Sequence, residues 1–162
     1  MPDLQYKCLK PAALSLAEAS LFRSLVAEGA QVTEVGLDNR IAKSRLLAFA
    51  LSEGKVCCTG ALKNPADEYR NGVFAKADSN LDRTKFTAEI GWVYVPACYG
   101  GNGVANKLVG FLLEDWSQPV FATTRTDNQR MRHILGKFGF SISGKPYASS
   151  EGPYDLALLF RA

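Results

Sequence analysis

The sequence has few of the residues that mark metal-binding, redox or disulfide-rich proteins. It has one histidine and four cysteines in 162 residues. The cysteines, Cys8, Cys57, Cys58 and Cys98, do not have the spacing of metal ligands, and a vicinal pair such as Cys57 and Cys58 rarely forms a disulfide. We therefore predict no metal site and four buried thiols.

Long apolar runs and strong charge are also missing. No apolar run is long enough to cross a membrane, and the N-terminus lacks the basic-then-apolar pattern of a signal peptide, so a cytoplasmic location is expected. The formal net charge of +3 and the absence of a basic run interleaved with aromatics argue against a nucleic-acid partner. A hydrophobic content of 47% and a charged content of 22% predict a single soluble domain over residues 1–162.

Serine-hydrolase chemistry is excluded in turn, because the chain has no Gly-x-Ser-x-Gly elbow to present a nucleophile. The single histidine, His133, lies two residues from Met131 and two from Leu135, both on the apolar stripe of a predicted helix. That spacing directs His133 away from the buried face. It is predicted to face solvent.

The central stretch, Phe86 to Leu113, reads as an apolar strand, a glycine-rich turn and an amphipathic helix. Residues 90–95 are β-branched and aromatic, and the proline that follows them cannot donate to a sheet, so the strand is predicted to end there. The helix after the turn has apolar residues at i, i+4, i+7 and i+8, the spacing of one buried face. These are Val104, Leu108, Phe111 and Leu112.

Glycines just ahead of a helix start favour an anion site, because the first N–H groups of a helix have no partner within it. A P-loop is excluded since Gly103 is followed by an apolar pair instead of Lys and Ser or Thr. A dinucleotide fingerprint needs Gly or Ala where this chain has Asn106. A different phosphate-binding loop is therefore indicated.

The loop resembles the pyrophosphate loop of the GNAT acyltransferase superfamily, whose signature is Arg or Gln, two residues, Gly, one residue, then Gly or Ala. Gly103 and Ala105 match it, and Gly100 stands where the family has Arg or Gln. Glu89, fourteen residues before Gly103, also fits the family pattern. The segments after the loop, a strand and then the helix NQRMRHILGKFGF, follow in the family's order. The resemblance covers Arg45 to Ser143.

The order of elements predicts an α/β (α+β) protein with the GNAT fold, a mixed and mostly antiparallel sheet of six to seven strands flanked by helices on both faces. The predicted strands are residues 5–10, 46–51, 55–62, 90–95, 120–124, 140–143 and 154–160. The second and third are predicted to form a hairpin with its turn at Glu53 and Gly54. The predicted helices are those that start at Ser15 with a capping box, at Leu37, at Val104 and after the cap Asp127. The polar stretch 64–85 contains enough apolar residues for a helical turn or two. The resemblance places it beside the acceptor cleft, so we interpret it as a substrate-specificity lid, with a surface excursion as the alternative. Residues 146–153 are predicted to form a flexible loop.

The resemblance implies an N-acetyltransferase in which a primary amine of a small molecule or a peptide N-terminus attacks the thioester of acetyl-CoA directly. Glu89 is the candidate general base, as a carboxylate within an otherwise apolar strand. Two alternatives stay open: Glu89 faces solvent or pairs with Arg or Lys, or a base elsewhere acts through water.

The resemblance also implies a set of residues that bind acetyl-CoA. Strand backbone would pair with the pantetheine arm, loop amides would hold the pyrophosphate, and helix residues would contact the rest of CoA. The cofactor-binding candidates are Val93, Tyr94, Val95, Gly100, Gly101, Asn102, Gly103, Val104, Ala105, Asn128, Leu135 and Lys137. Lys107 and Arg132 are further 3′-phosphate candidates. Leu135 stands where many family members have a tyrosine that protonates the departing thiolate.

Two other functions stay open at this point. A non-catalytic CoA-binding or regulatory module would explain the departures at Gly100 and Leu135. A toxin-like aminoacyl-tRNA acetyltransferase would need a more basic surface than a net charge of +3 provides. The implied partners are acetyl-CoA and an unidentified amine, with no membrane and no metal, and a homodimer is left open.

Overall fold

The computed structural model describes residues 3–29 and 32–162. The strands are β1 Leu4–Leu9, β2 Leu46–Ser52, β3 Lys55–Lys63, β4 Ala88–Tyr94, β5 Val120–Arg125, β6 Ser141–Ala148 and β7 Asp155–Arg161. The helices are α1 Leu16–Gly29, α2 Leu37–Ala42, α3 Asp67–Lys76, α4 Val104–Leu113 and α5 Gln129–Lys137. The strands form one sheet in the order β1-β2-β3-β4-β5-β7-β6. The predicted α/β class, with a seven-stranded sheet flanked by helices, is confirmed.

Pairing within the sheet is antiparallel on both sides of β4. Strand β2 pairs with β1 and β3, and β7 pairs with β5 and β6. The chain divides into two compact units, one formed by Met1–Asn64 and Ile90–Trp116, the other by Pro65–Glu89 and Ser117–Ala162. The expectation of a single domain over residues 1–162 stays a prediction.

In the first unit, helix α1 begins with the predicted capping box. The Ser15 N–H donates to Glu18 Oε1 at 2.9 Å, and the Glu18 N–H donates to Ser15 Oγ at 3.1 Å, so both ends of the motif are satisfied. Phe22 and Val26 are fully buried one turn apart. Leu21, next to Phe22, is 37% exposed, so the buried stripe of α1 is narrow.

The predicted hairpin between β2 and β3 is also present. Glu53 and Gly54 both have left-handed backbone, with φ of 51° and 77°, as the tight two-residue hairpin turn requires. The strands then contribute to an apolar core with α1, α2 and β4. Its buried members are Phe22, Val26, Leu37, Ile41, Leu47, Phe49, Leu51, Val56, Ala61 and Trp92.

In the second unit, the stretch 64–85 is more ordered than its polar sequence predicts. It contains the ten-residue helix α3, where a helical turn or two was expected. Val73 and Phe74 of α3 are buried and pack with Ala77, Phe86, Phe121 and Leu158. The prediction failed because two adjacent apolar residues suffice to anchor a helix whose other faces are polar.

The last hairpin corrects the predicted loop at 146–153. Strand β6 continues to Ala148 and includes Pro146, with an irregular register between Ser143 and Tyr147. Within this irregularity Gly144 has φ of 71° and the Lys145 N–H donates to the Ala77 carbonyl at 2.8 Å. An irregular stretch tolerates a proline because its missing N–H leaves no ladder bond unmade.

The cysteines do not all behave as predicted. Cys57 and Cys58 are buried with their sulfurs 3.9 Å apart, and burial raises the pKa of both thiols. Cys8 is half-buried. Cys98 is exposed, because it lies in the short helical turn Ala97–Tyr99 that follows β4. The prediction of four buried thiols is therefore correct for Cys57 and Cys58 and wrong for Cys8 and Cys98. No helix within residues 3–29 and 32–162 combines the length and apolar character needed to span a membrane.

Candidate active site

The glycine-rich loop places Gly103 as the N-cap of helix α4. Gly103 has φ of 72° and Gly101 has φ of 79°, a left-handed conformation that disfavours residues with a Cβ. A Cβ built at either position would have no heavy atom of the described protein within 4 Å. The glycines are therefore required by the backbone conformation, and the space beside each of them is open to a ligand.

The start of α4 has the properties of an anion site. No side chain caps its first turn by a hydrogen bond, and the first turn contains no acidic residue. Its N–H groups therefore point out of the helix with the positive end of the helix dipole behind them. The Asn102 side-chain amide donates to the Gly100 carbonyl at 2.9 Å, which helps to fix the loop ahead of the helix.

The buried face of α4 differs from the predicted one at one position. Val104, Leu108 and Leu112 are buried as expected. Phe111 is 37% exposed, and its ring lies 5.7 Å from the Tyr6 ring. Two further apolar residues are buried in its place, Val109 and Leu113.

The end of β4 presents the residues that were predicted to pair with pantetheine. Val93 and Tyr94 are half-buried at the end of the strand, and Val95 follows just outside it. The Tyr94 hydroxyl donates to Glu28 Oε2 at 3.3 Å. Its ring lies so close to Gly29 that a Cβ there would come within 2.1 Å of the ring carbons. Tyr94 is thus held against the end of α1.

Trp92 is a feature of β4 that the sequence did not reveal. Its φ of 53° places a bulky residue in the left-handed region within a strand, and its side chain is only 6% exposed. The Thr59 hydroxyl donates to the Trp92 carbonyl at 2.9 Å, and Lys63 Nζ lies 4.7 Å from the centre of the indole ring. Nothing in the residue types of β4 indicates this local change of conformation.

The candidate base Glu89 is buried in the second unit. Its exposed fraction is 2%, so the solvent-facing alternative is wrong. The Tyr69 hydroxyl on α3 donates to Glu89 Oε2 at 2.8 Å. Burial, and next the Glu89 carboxylate, raise the pKa of Tyr69 well above its usual value. The same two causes raise the pKa of Tyr147 to about 12. Tyr69 therefore stays a protonated donor at neutral pH.

Helix α5 is capped by a different residue from the one predicted. Asn128 Oδ1 accepts the Met131 N–H at 3.0 Å, which makes Asn128 the N-cap. Asp127 is not the cap, and its carboxylate lies 3.5 Å from Arg125 Nε. The predicted cofactor residue Asn128 thus has its side-chain oxygen engaged by the helix.

The remaining predicted cofactor residues differ in exposure. Leu135 is 1% exposed and packs in the interior, whereas Lys137 is exposed in the last turn of α5. Arg132 donates to the Thr126 carbonyl at 3.0 Å, and Lys107 Nζ lies 5.2 Å from the centre of the Tyr6 ring. His133 is exposed, as predicted. Within the described part of the chain, no three His, Cys, Asp or Glu side chains are grouped to hold a metal.

Solved acyltransferase structures share this fold. An acyl-CoA N-acyltransferase from Pseudomonas aeruginosa aligns with 99% of this chain and 100% of its own, at 19% identity and a TM-score of 0.67. A GNAT-family acetyltransferase from Streptococcus pneumoniae aligns over 98% of both chains, at 19% identity and a TM-score of 0.61. The putative acetyltransferase yncA from Salmonella typhimurium, solved with its cofactor acetyl-CoA, aligns over 98% of this chain and 93% of its own, at 16% identity and a TM-score of 0.65.

No protein-family model matches the sequence, and no curated protein matches it. The likeness is therefore one of structure, over nearly the whole length of each chain. The likeness shows that the chain has an α/β fold of the acyltransferase type. More particularly, the fold is that of the GNAT superfamily, as the sequence resemblance predicted.

Proposed function

We propose that the protein is an acetyl-CoA-dependent N-acetyltransferase that acts on a primary amine of a small molecule or a peptide N-terminus. The observation that carries the proposal is the start of α4: an uncapped helix N-terminus behind two left-handed glycines, in a fold shared with a protein solved with acetyl-CoA. This arrangement supplies several N–H donors to a pyrophosphate without an opposing carboxylate in the first turn.

In this proposal the donor is held largely by backbone. The backbone amides from Gly101 to Ala105, in the loop that begins at Gly100, bind the pyrophosphate. The peptide groups of residues 93–95 pair with the amides of pantetheine as one strand pairs with another. Asn128 contacts the CoA arm through its side-chain amide, and Lys137, which is exposed in the last turn of α5, binds the 3′-phosphate. Leu135 is buried, which supports a role in the packing of α5.

Glu89 acts as the general base in the proposed reaction. Its ionised carboxylate takes a proton from the acceptor ammonium group, which frees the nitrogen lone pair. The nitrogen attacks the carbonyl carbon of the thioester, a C–N bond forms, and the C–S bond breaks with its electron pair on sulfur. The acylated nitrogen loses its second proton to water, and the thiolate takes up a proton from water, so that the products are a neutral amide and free CoA thiol. A thiolate is a good leaving group, with a usual thiol pKa of about 8.5.

A second candidate is a CoA-binding module without catalysis. The observation that favours it is the buried leucine at 135, which cannot protonate a leaving thiolate. A toxin-like activity on aminoacyl-tRNA is supported less, because the net charge is only +3.

Calorimetry with acetyl-CoA and a thiol-release assay on a panel of amines, peptides and aminoacyl-tRNA separate these functions. Binding with turnover of an amine or peptide supports the N-acetyltransferase. Binding without turnover of any acceptor supports the module, and turnover of aminoacyl-tRNA alone supports the toxin-like activity. No binding of acetyl-CoA would overturn all three.

The role of Glu89 is tested by Glu89→Gln, which keeps the size of the side chain and loses its proton acceptance. We expect kcat to fall by roughly 10²- to 10⁴-fold with little change in acetyl-CoA affinity. A folded variant with near-normal kcat at neutral pH would remove Glu89 from the chemistry.

A further inference from the structure

A hydrogen bond that no sequence motif predicts joins Tyr69 and Glu89. They are twenty residues apart, on α3 and β4, and the Tyr69 oxygen lies 2.8 Å from Glu89 Oε2. Although Tyr69 exposes 44% of its surface, its hydroxyl lies against a carboxylate that is 2% exposed. The polar end of the tyrosine is therefore the buried end.

The helix that carries Tyr69 is anchored in the core of the second unit. Val73, one turn after Tyr69, and its neighbour Phe74 are 7% and 1% exposed. The Phe74 ring contacts the rings of Phe86 and Phe121, with centroids 5.2 Å and 5.3 Å away. A side chain on a packed helix is held more precisely than one on a loop. The hydroxyl is thus fixed at one oxygen of the carboxylate.

We propose that Tyr69 is the positioning residue of the catalytic base: its hydroxyl aims the Glu89 carboxylate and stabilises the ionised form that accepts the proton of the acceptor ammonium. This inference rests on the proposed N-acetyltransferase function. A tyrosine hydroxyl donates a stronger hydrogen bond to an ionised carboxylate than to a neutral acid. Loss of the Tyr69 hydroxyl should therefore destabilise the ionised Glu89 carboxylate more than the neutral acid.

The groups around Tyr69 and Glu89 keep the Tyr69 hydroxyl protonated, so that it can donate a hydrogen bond. Tyr147 on β6 is a further titratable side chain whose charge interacts with Glu89 and Tyr69, and the Tyr69 hydroxyl also has a hydrogen-bonding neighbour in Thr123 on β5. Burial and the carboxylate raise the pKa of both tyrosines, so both are neutral at pH 7. The nearby cation Arg70 is directed to Asn71 and Asp67 instead.

Tyr69→Phe tests the proposal, with Tyr147→Phe as the matched control, since it removes a hydroxyl near the same carboxylate. For Tyr69→Phe we expect kcat/KM at pH 7 to fall roughly tenfold or more, the range of one hydrogen bond to a charged group. The acidic limb of the pH profile should move to higher pH, because the lost hydrogen bond favoured the ionised carboxylate. Acetyl-CoA affinity and melting temperature should stay close to wild type, and Tyr147→Phe should leave the limb in place.

A tyrosine titration followed by ultraviolet absorbance gives a readout that needs no turnover. Tyr69→Phe should remove one ionisation from the high-pH end of the curve. Glu89→Gln should move that ionisation to lower pH, because a carboxylate beside a phenol disfavours the phenolate. Unchanged titration in Glu89→Gln would overturn the contact itself.

The two proposals fail in different ways. If the wild type acetylates an amine and Tyr69→Phe keeps both its rate and its acidic limb, the positioning role is wrong and the enzyme assignment stands. If both tyrosine variants shift the limb equally, the effect is not specific to Tyr69 and the inference is again overturned. A wild type that binds acetyl-CoA but acetylates no acceptor overturns the proposed function and the inference with it.

Discussion

Gly103 offers the most direct test of the proposed acetyl-CoA loop. A substitution there acts on two quantities, the conformational energy of the loop and the space available to the ligand. The φ of 72° costs a residue with a Cβ about 1–2 kcal/mol. The new Cβ would meet no heavy atom of the described protein within 4 Å, so no internal clash adds to this cost. Any larger effect on acetyl-CoA binding must then come from the ligand.

The chain contains a matched control for the backbone cost. Gly36 is the N-cap of α2, with φ of 75°, and a Cβ at Gly36 would also meet no described atom within 4 Å. Gly36→Ala therefore carries the same strain as Gly103→Ala but lies outside the glycine-rich loop. The comparison of the two variants separates strain from ligand contact.

Calorimetry on folded proteins, with melting temperatures measured in parallel, gives the two quantities. We expect Gly103→Ala to weaken acetyl-CoA binding tenfold or more, which corresponds to about 1.4 kcal/mol, and Gly103→Val to abolish it. Gly36→Ala should lower the melting temperature to a similar extent with less than about a twofold change in affinity. A folded Gly103→Val protein that binds acetyl-CoA normally would refute the loop assignment. Equal losses of affinity in both alanine variants would assign the effect to strain.

Two further predictions concern three tyrosines and the glycine in the irregular part of β6. No single Tyr→Phe change at Tyr94, Tyr147 or Tyr154 should lower kcat by more than about tenfold, below the usual range for a general acid, and a larger loss with binding intact would identify a relocated acid. Gly144→Ala should destabilise the fold by about 1–3 kcal/mol more than Gly54→Ala in denaturant unfolding. Both glycines have left-handed backbone, but a Cβ at Gly144 would lie 1.9 Å from a backbone oxygen, whereas Gly54 faces open space; equal losses would disprove this clash.

Local signals predicted those parts of the chain whose causes are local. The capping box at Ser15 and Glu18, the hairpin turn at Glu53 and Gly54, and the glycine start of α4 each depend on residues within four positions of one another. Backbone hydrogen bonding and φ preference decide such features before any tertiary packing forms. The strand, loop and helix around Gly103 could therefore be found from sequence.

Errors of one position arose where two neighbours compete for one role. Asp127 and Asn128 are both good N-cap residues, and the turn that leaves β5 selects Asn128. Phe111 is as apolar as Val109, but its ring packs against the Tyr6 ring and stays half-exposed outside the core. Periodicity fixes a helix face to within one residue on either side, and packing decides the rest.

The candidate base could be proposed from sequence, but its environment could not. Glu89 was found through its distance from Gly103 along the chain, whereas Tyr69 lies in a polar stretch with no pattern of its own. Only the packing of Val73 and Phe74 brings the Tyr69 hydroxyl to the carboxylate. A contact that depends on tertiary packing of two elements leaves no periodic trace in either of them.

Trp92 shows how β4 can be preorganised without a ligand. A left-handed φ at a bulky residue costs about 1–2 kcal/mol, and the buried indole N–H has no hydrogen-bond partner among the described residues, a second local cost. Both are offset by the burial of the indole in the core of the first unit and by the Thr59 hydroxyl on the Trp92 carbonyl. Strain of this kind persists only where the surrounding structure determines the backbone fully. The backbone of β4 at Trp92 is therefore determined by the packing of the first unit.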